Sequence, residues 1–296
     1  MDRRTALRSL AGLVAMMGSA LTATSRVDVF ARQNLLAWSF IPFDSAHRGP
    51  IERAEMLHRL GITKLAYDGR PSDFLNFSQD LAALRTHNIT LQAVWLNTGL
   101  TPKTDPHVSL VFDTLKKNNV ATQLWWPVST PKEFDSLPEE TQFEQATRAM
   151  NYLAERARSV NCSLGLYGNG SWGGDPEHQL SLVKRVKRHD VGIVYNFEHA
   201  YDHLDRFSSV YPRLVPHLMA TNLSGIRKGN PELLAIGQGD MEFSMLKTVR
   251  DSGFHGPIGI ISTDRKGDAE TSLKMNLEGL KKLLQQMGDT EALRTY

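Results

Sequence analysis

The densest group of titratable side chains lies in residues 191–207, VGIVYNFEHAYDHLDRF, which start as an apolar run. Its polar members are Asn196, Glu198, His199, Asp202 and His203. If Asn196 faces inward at the end of a strand, Glu198 faces the same way, whereas His199 and His203 share a face if a helix has begun. Such a group can bind a divalent metal through His199 or transfer protons through Glu198 and His199. A solvated helix start gives the same pattern, with Asp202 near the positive end of the helix dipole.

A second candidate pair, Asp68 and Arg70, follows the short apolar run KLAYD. Two residues apart, these side chains face the same side if the strand continues. We expect Asp68 to take part in proton transfer and Arg70 to orient substrate hydroxyls. An ion pair that only orders the loop is an equally good interpretation.

A third candidate is the glycine-rich stretch GNGSWGGDP, residues 168–176. Its glycines permit close approach of a ligand to the backbone, and Trp172 offers an apolar surface of the kind that packs on sugar rings. Asn169 in the same stretch is a candidate substrate contact. A tight turn covered by Trp172 explains the stretch as well.

Short apolar runs alternate with longer amphipathic ones along the rest of the chain. The nearly continuous apolar character of the short runs is typical of parallel strands that helices bury on both faces. The predicted strands are residues 35–41, 64–68, 91–96, 122–128, 163–168, 191–197, 218–223 and 257–262. The predicted helices are residues 51–60, 74–87, 108–118, 141–160, 177–188, 204–214, 242–252 and 269–287.

Eight strand–helix pairs predict an α/β fold, a single-domain (β/α)8 TIM barrel over residues 27–296. Active sites of this fold lie at the C-terminal ends of the strands, which is where the three candidate groups fall. A doubly wound open sheet is the rival fold. Because no predicted strand is followed by a glycine-rich dinucleotide fingerprint, we favour the barrel and expect no nucleotide cofactor.

Residues 1–26 have the layout of an export signal. Arg3, Arg4 and Arg8 precede a short apolar run, and small residues follow at Ala20 and Ala23, where we expect cleavage. The adjacent arginines are of the twin-arginine type, which predicts export to the bacterial periplasm. A disordered basic tail is the alternative. The apolar run is too short for a permanent membrane span, so no stable membrane insertion is expected after cleavage.

The composition and charge of the chain limit the kinds of partner that it can bind. The 296-residue chain is 41% hydrophobic with a formal net charge of +2, and it has no basic stripe, so we expect no nucleic-acid partner. The single cysteine, Cys162, has no histidine beside it and is expected to be a buried structural thiol. The sequence does not predict the oligomeric state.

Four segments of the chain resemble the xylose-isomerase-like TIM-barrel proteins known as sugar phosphate isomerases or epimerases, especially an exported bacterial branch. They are AYDGR, LYGNGSWGGDPEHQ, VGIVYNFEHAYDHLDRF and IGQGDMEFSMLKTVRDSGFHGPIGI. The resemblance implies a divalent metal, manganese or zinc, held by carboxylates and histidines at the strand ends. It also implies a small carbohydrate as the ligand and proton transfer next to a carbonyl.

The chain departs from the family pattern at the metal site. Tyr167 takes the place of the strand-5 glutamate, and Asn196 that of the strand-6 aspartate. Asn222 and Ile261 occupy the ligand positions on strands 7 and 8, while the family's histidine is retained as His199. Because asparagine oxygens are neutral and hold a transition ion poorly, metal binding is doubtful. Glu198, Asp202, His203 and Asp264 are the nearby residues from which a site would have to be rebuilt.

Three functions remain open. The first is an isomerase- or epimerase-like enzyme acting on a keto or oxidised sugar, with or without a metal. The second is a lyase of the same fold that cleaves 3-keto-glycosides. The third is a sugar- or partner-binding barrel without turnover, in which Asn169, Asn196 and Asn222 keep hydrogen-bonding capacity. We favour the enzyme, because Asp68, Arg70, Glu198 and His199 are expected to lie together at one rim of the barrel. We expect an unphosphorylated sugar, because Arg48, Arg70 and Lys266 are the few cations predicted near the strand ends.

Overall fold

The computed structural model describes residues 28–261 and 264–296. Its strands are β1 (Leu35–Trp38), β2 (Lys64–Tyr67), β3 (Thr90–Trp95), β4 (Gln123–Pro127), β5 (Ser163–Tyr167), β6 (Val191–Asn196), β7 (Leu218–Leu223), β8 (Gly225–Arg227), β9 (Asn230–Leu234) and β10 (Ile258–Ile261). Strands β1 to β7 and β10 form a closed parallel barrel in the order β1-β10-β7-β6-β5-β4-β3-β2. Strands β8 and β9 form a separate antiparallel hairpin.

A helix follows each barrel strand. The helices are α1 (Pro50–Arg59), α2 (Phe77–Thr86), α3 (Pro106–Lys117), α4 (Glu139–Ser159), α5 (Pro176–Val186), α6 (Phe207–Leu214), α7 (Glu242–Asp251), α8 (Ala269–Met287) and a short α9 (Thr290–Leu293). Asp105 and Asp175 cap α3 and α5 by accepting the amides of His107 and Glu177, with proline at the next position. The predicted (β/α)8 barrel is confirmed, and the predicted strands match β1 to β7 and β10.

The structure differs from the sequence prediction after β6 and β7. Residues Phe197–His199 and Tyr201–Arg206 form 3-10 turns, and α6 begins at Phe207 rather than at residue 204. The condition for His199 and His203 to share a helix face is therefore not met, because His203 has non-helical backbone angles (φ −137°, ψ 17°). The hairpin of β8 and β9 was not predicted, because its strands are too short to give an alternating pattern.

Aromatic rings fill the barrel interior near the C-terminal strand ends. Trp38, Trp95 and Trp125 surround Tyr167, with ring centroids 5.9, 4.8 and 6.0 Å from its ring. Trp38, Trp125 and Tyr167 are fully buried. The centre of the barrel is therefore packed with apolar surface where a ligand cavity would otherwise open.

The N-terminal export prediction, with its cleavage site and arginines, lies outside the described residues and stays a prediction. Among residues 28–261 and 264–296, no helix is both long and apolar enough to cross a membrane. Cys162 is buried, as predicted, and burial raises the pKa of its thiol.

Candidate active site

Asp68 directly follows β2, where the strand alternation turns its side chain toward the barrel mouth and that of Tyr67 outward. It is 7% exposed, and its Oδ1 atom has no hydrogen-bond partner among the described residues. Burial raises the pKa of Asp68 to about 7, although the amides of Asp68 and Ile41 oppose this. The carboxyl can therefore both hold and release a proton near neutral pH.

A buried network behind β2 holds the Asp68 loop in place. The Tyr67 hydroxyl lies 3.1 Å from both Asp80 Oδ2 and the Asp73 carbonyl oxygen. Arg53 donates to Asp80 Oδ1 at 2.6 Å, which links α1 to α2. A Cβ atom at Gly69 would lie 2.4 Å from the Tyr67 ring, so only glycine fits this turn.

Asp68 lines a cavity of about 340 Å³ formed by the segments after β1, β2 and β3. The lining residues are Pro42, Phe43, Asp68, Gly69, Arg70, Pro71, Trp95, Asn97 and His107. Like Asp68, Trp95 and His107 each have a buried polar atom, Nε1 and Nδ1, without a hydrogen-bond partner in the described part of the chain. An acid, an indole N–H donor and an imidazole therefore line one cavity, all three with unused hydrogen-bonding capacity.

His107 lies in the first turn of α3. Its amide donates to Asp105 Oδ1 at 2.8 Å, and Asp105 Oδ2 accepts from the Thr98 hydroxyl at 2.6 Å, which fixes the loop between β3 and α3. Burial lowers the pKa of His107, although the charge of Asp105 opposes this. The imidazole is therefore neutral at pH 7, as its place at the positive end of the helix dipole also favours.

Arg70 is exposed at the rim of the cavity, with its guanidinium carbon 5.9 Å from the centre of the Phe43 ring. Among the described residues no ion pair joins Arg70 to Asp68, so the interpretation of this pair as an ion pair that orders the loop is wrong. Instead, the Arg70 amide donates to Asp73 Oδ2 at 2.7 Å. Its guanidinium stays at the cavity mouth, where it can contact a ligand.

Glu198 and His199 lie at the end of β6. Arg265 donates to Glu198 Oε1 at 2.6 Å, and His199 Nε2 lies 4.0 Å from the other oxygen. Glu198 is 12% exposed in its side chain. Burial lowers the pKa of His199; the carboxylate of Glu198 opposes this, and the charge of Arg265 adds to it. Arg265 also lies 5.1 Å from the Phe43 ring, so this ion pair reaches across the mouth toward the Asp68 cavity.

Asn196 is buried, and its amide is used inside the protein. Its Nδ2 donates to the Tyr167 hydroxyl at 2.6 Å, and its Oδ1 accepts the Glu198 amide at 3.1 Å. The predicted substrate contact of Asn196 is therefore corrected to a positioning role. Asn222 is fully buried beside Tyr167, and its amide opposes the increase that burial causes in the pKa of the Tyr167 hydroxyl. Because the side chain is fully buried, its predicted contact with a substrate is not available in the structure.

A second cavity, of about 260 Å³, lies over the loops after β5 and β6. Its lining residues are Gly170, Ser171, Trp172, Gly174, Asp175, His178, His199, Asp202 and His203. Trp172 packs against Phe134 and Phe143 and stacks on His178, with ring centroids 5.1, 5.1 and 4.6 Å apart. Trp172 is partly exposed and lines this second cavity, not the Asp68 cavity, so the structure does not bring the predicted sugar platform together with Asp68 and Arg70. Asn169 is half-buried and accepts the Ser171 hydroxyl at 2.9 Å.

A larger cavity, of about 710 Å³, lies between α1 and α2 on the outside of the barrel. It is lined by residues of the outer helices, among them Ile51, Glu52, Gln79 and His87, and not by strand ends. We place the candidate active site at the smaller Asp68 cavity, because that one lies at the catalytic face of this fold and contains the perturbed carboxyl.

Residues 111–283 match the profile of the xylose isomerase-like TIM barrel family. The chain belongs to this family. Similar solved structures include the IolI protein with a bound zinc atom, 13% identical with a TM-score of 0.66, over 85% of this chain and 98% of that one. The 3-keto-D-glucoside 4-epimerase YcjR of E. coli is 11% identical with a TM-score of 0.61, and the match covers 86% of this chain and 99% of the epimerase. A D-psicose 3-epimerase is 12% identical with a TM-score of 0.62, and the match covers 86% of this chain and 99% of that epimerase. None of the curated proteins matches the chain.

The metal implied by this family does not fit the donor set at the strand ends. Tyr167, Asn196, Asn222 and Ile261 offer a phenol, two amides and an alkyl group, all neutral. Among residues 28–261 and 264–296, no group of three or more histidine, cysteine or carboxylate side chains is arranged to hold a metal ion. His199, the predicted ligand, has Glu198 as its neighbouring carboxylate, and Arg265 already neutralises that group.

Sequence reasoning found Asp68 and Arg70 but missed Trp95, Asn97 and His107. The sequence pattern did indicate Trp95: it lies two positions after Ala93 in β3, so both side chains face the barrel interior. His107 gave no such signal, because it lies twelve positions after the strand, beyond a loop whose path the sequence does not predict. Its position after the Asp105-Pro106 pair predicts a helix start but not a cavity.

Proposed function

We propose that this chain is a carbohydrate-active enzyme, isomerase- or epimerase-like, that moves a proton next to the carbonyl of a keto sugar. The observation that carries the proposal is the buried Asp68 carboxyl, with a pKa of about 7, in a cavity at the C-terminal face of the barrel. The sugar-acting epimerases among the similar structures support the substrate class. The volume of about 340 Å³ suits one small molecule.

In this reaction the ionised Asp68 removes the proton from the carbon next to the carbonyl. The electrons of the broken C–H bond form the enolate, whose negative charge rests on the former carbonyl oxygen. An epimer forms when a second acid, on the opposite face of the planar enolate, delivers a proton to the same carbon while Asp68 keeps the proton it removed. An isomer forms when Asp68 returns its proton to the former carbonyl carbon and the proton of the adjacent hydroxyl moves to the enolate oxygen, so that the adjacent carbon becomes the new carbonyl. Arg70 at the rim orients the sugar hydroxyls.

The test is proton exchange with solvent. The protein is incubated in D2O with D-fructose or D-tagatose, and NMR follows deuterium entering the position next to the carbonyl. We expect exchange with the wild type and a loss of about 100-fold or more in Asp68→Asn, the range typical of a general base. Asp113→Asn, at an exposed carboxylate on α3, is the matched control and should exchange like the wild type. Equal exchange in Asp68→Asn contradicts the proposed role.

Sugar binding without turnover is the second candidate, favoured by the uncharged side chains of Tyr167, Asn196, Asn222 and Ile261 where the family places its metal ligands. Binding of either ketose by calorimetry, without any deuterium exchange, would favour this function over the enzyme.

A further inference from the structure

We infer that this site stabilises the enolate without a metal ion, by hydrogen bonds from the Trp95 indole N–H and the His107 imidazole to the enolate oxygen. The inference rests on the proposed function and names the electrophile that it needs. An enolate is too basic to form without a positive charge or hydrogen-bond donors at its oxygen. In this chain the neutral strand-end residues supply no metal site, so other groups that line the Asp68 cavity must do this work.

Trp95 is built as a fixed donor. Its Nε1–H can donate a hydrogen bond but cannot accept one, and this buried atom has no partner in the described part of the chain. The ring is held by Tyr167 and Trp38, whose centroids lie 4.8 and 6.0 Å away. Because neighbouring rings hold the indole, its N–H keeps one direction as charge develops on the oxygen, once a ligand has displaced whatever covers the buried Nε1 atom.

His107 is the second donor. Its buried Nδ1 has no hydrogen-bond partner among residues 28–261 and 264–296, and the imidazole is neutral at pH 7 for the reasons given above. In the tautomer that carries its proton on Nδ1, it donates to the oxygen without itself losing a proton. The first turn of α3 and the Asp105 cap hold the ring at the cavity wall.

The surrounding charges permit Asp68 to act as the base beside these donors. Asp73 raises its pKa and Arg53 lowers it, while Arg70 and His107 line the same cavity. Tyr167, which faces Asp68 from β5, is held neutral by burial. Proton exchange should therefore increase with pH through about 7, as Asp68 ionises.

The first arm of the test concerns metal. Purified full-length protein is treated with EDTA, its metal content is measured by elemental analysis, and binding of Mn²⁺ and Zn²⁺ is measured by calorimetry. We expect no stoichiometric binding and unchanged exchange of D-fructose or D-tagatose. Stoichiometric binding, or exchange that EDTA abolishes and Mn²⁺ restores, overturns the inference and leaves the proposed function standing. Absence of exchange with and without metal overturns both.

The second arm concerns the donors. Trp95→Phe and His107→Leu should each lower kcat for exchange by about 100-fold to 1,000-fold, with KM changed only a few-fold, as for loss of a donor to a developing oxyanion. His107→Asn, which keeps an N–H near the Nδ1 position, should recover much of the lost rate. Trp172→Phe is the matched control, because the Trp172 Nε1 atom is also buried without a hydrogen-bond partner in the described part of the chain, but Trp172 lines the other cavity. Unchanged kcat in Trp95→Phe and His107→Leu overturns the inference.

Discussion

Asp68 should destabilise the protein at neutral and alkaline pH, and Asp68→Asn should remove that cost. The pKa of its carboxyl is 3.8 in the unfolded chain and about 7 in the folded protein, because burial disfavours the charged form. The folded state therefore binds the proton more tightly than the unfolded state. Below pH 3.8 the Asp68 carboxyl is protonated in both the folded and the unfolded state, so it does not change the free energy of unfolding. From pH 3.8 to about pH 7 each pH unit lowers the free energy of unfolding by about 1.4 kcal/mol. The full cost above pH 7 is about 4 kcal/mol.

The assay is urea unfolding of the wild type, Asp68→Asn and the surface control Asp113→Asn at pH 4, 5.5, 7 and 8.5. We expect Asp68→Asn to match the wild type near pH 4 and to become progressively more stable than it up to about pH 7, with no further gain above. Taking the difference between two variants cancels the titration of all other groups. A difference that stays constant with pH would refute a raised pKa at Asp68 and remove the physical basis of its assignment as the base.

Two further predictions concern the supports of the cavity. Asp80→Asn removes the carboxylate that pairs with the largely buried Arg53, and it should lower the free energy of unfolding by about 3 kcal/mol in urea titrations. A loss below about 1 kcal/mol would contradict a stabilising role for this buried ion pair. Burial raises the pKa of Asp268, but hydrogen bonds from the Thr271 amide and Arg48 outweigh burial and lower the pKa to about 2. The ionised Asp268 therefore stabilises the fold above about pH 4, and this stabilisation is lost as the pH falls toward 2. Arg48→Met should make the acid loss of stability shallower in thermal unfolding from pH 5 to pH 2, and an unchanged slope would contradict it.

The barrel was predictable because its pattern is local. Runs such as LQAVWL are apolar on both faces, which parallel strands between helices require, and the steps of three and four in α4 mark a helix without any tertiary information. The 3-10 turns after β6 were not predictable in the same way. Glu198 to Arg206 form a sequence compatible with a helix start. In the structure the Asn196 side chain accepts the Glu198 amide, and His203 lies 3.0 Å from the buried Tyr195 hydroxyl, a contact across eight positions that no helical period marks.

The site was only partly predictable for a related reason. Asp68 directly follows a predicted strand, and this alone places it on the catalytic face of the barrel, so its location can be predicted from the sequence. Whether a side chain stays free depends on its neighbours: Arg48 was predicted as a cation near the strand ends, yet it lies 2.8 Å from Asp44 and 2.6 Å from Asp268. Arg70, with similar sequence features, remains at the rim. Ion pairs between residues more than 200 positions apart leave no periodic signal.

The aromatic packing at the barrel centre connects the lost metal site to the properties of Asp68. Tyr167, at the former ligand position, completes a layer with Trp38, Trp95 and Trp125 that closes the axis of the barrel. Trp95 carries this layer into the lining of the Asp68 cavity, and an apolar wall raises the pKa of a carboxyl and strengthens hydrogen bonds from fixed donors. Tyr167 at a ligand position of the family therefore has two effects: it supplies no charged metal ligand, and it packs against Trp95 to give the low-dielectric surroundings in which we infer that an indole and a neutral imidazole act as the electrophile.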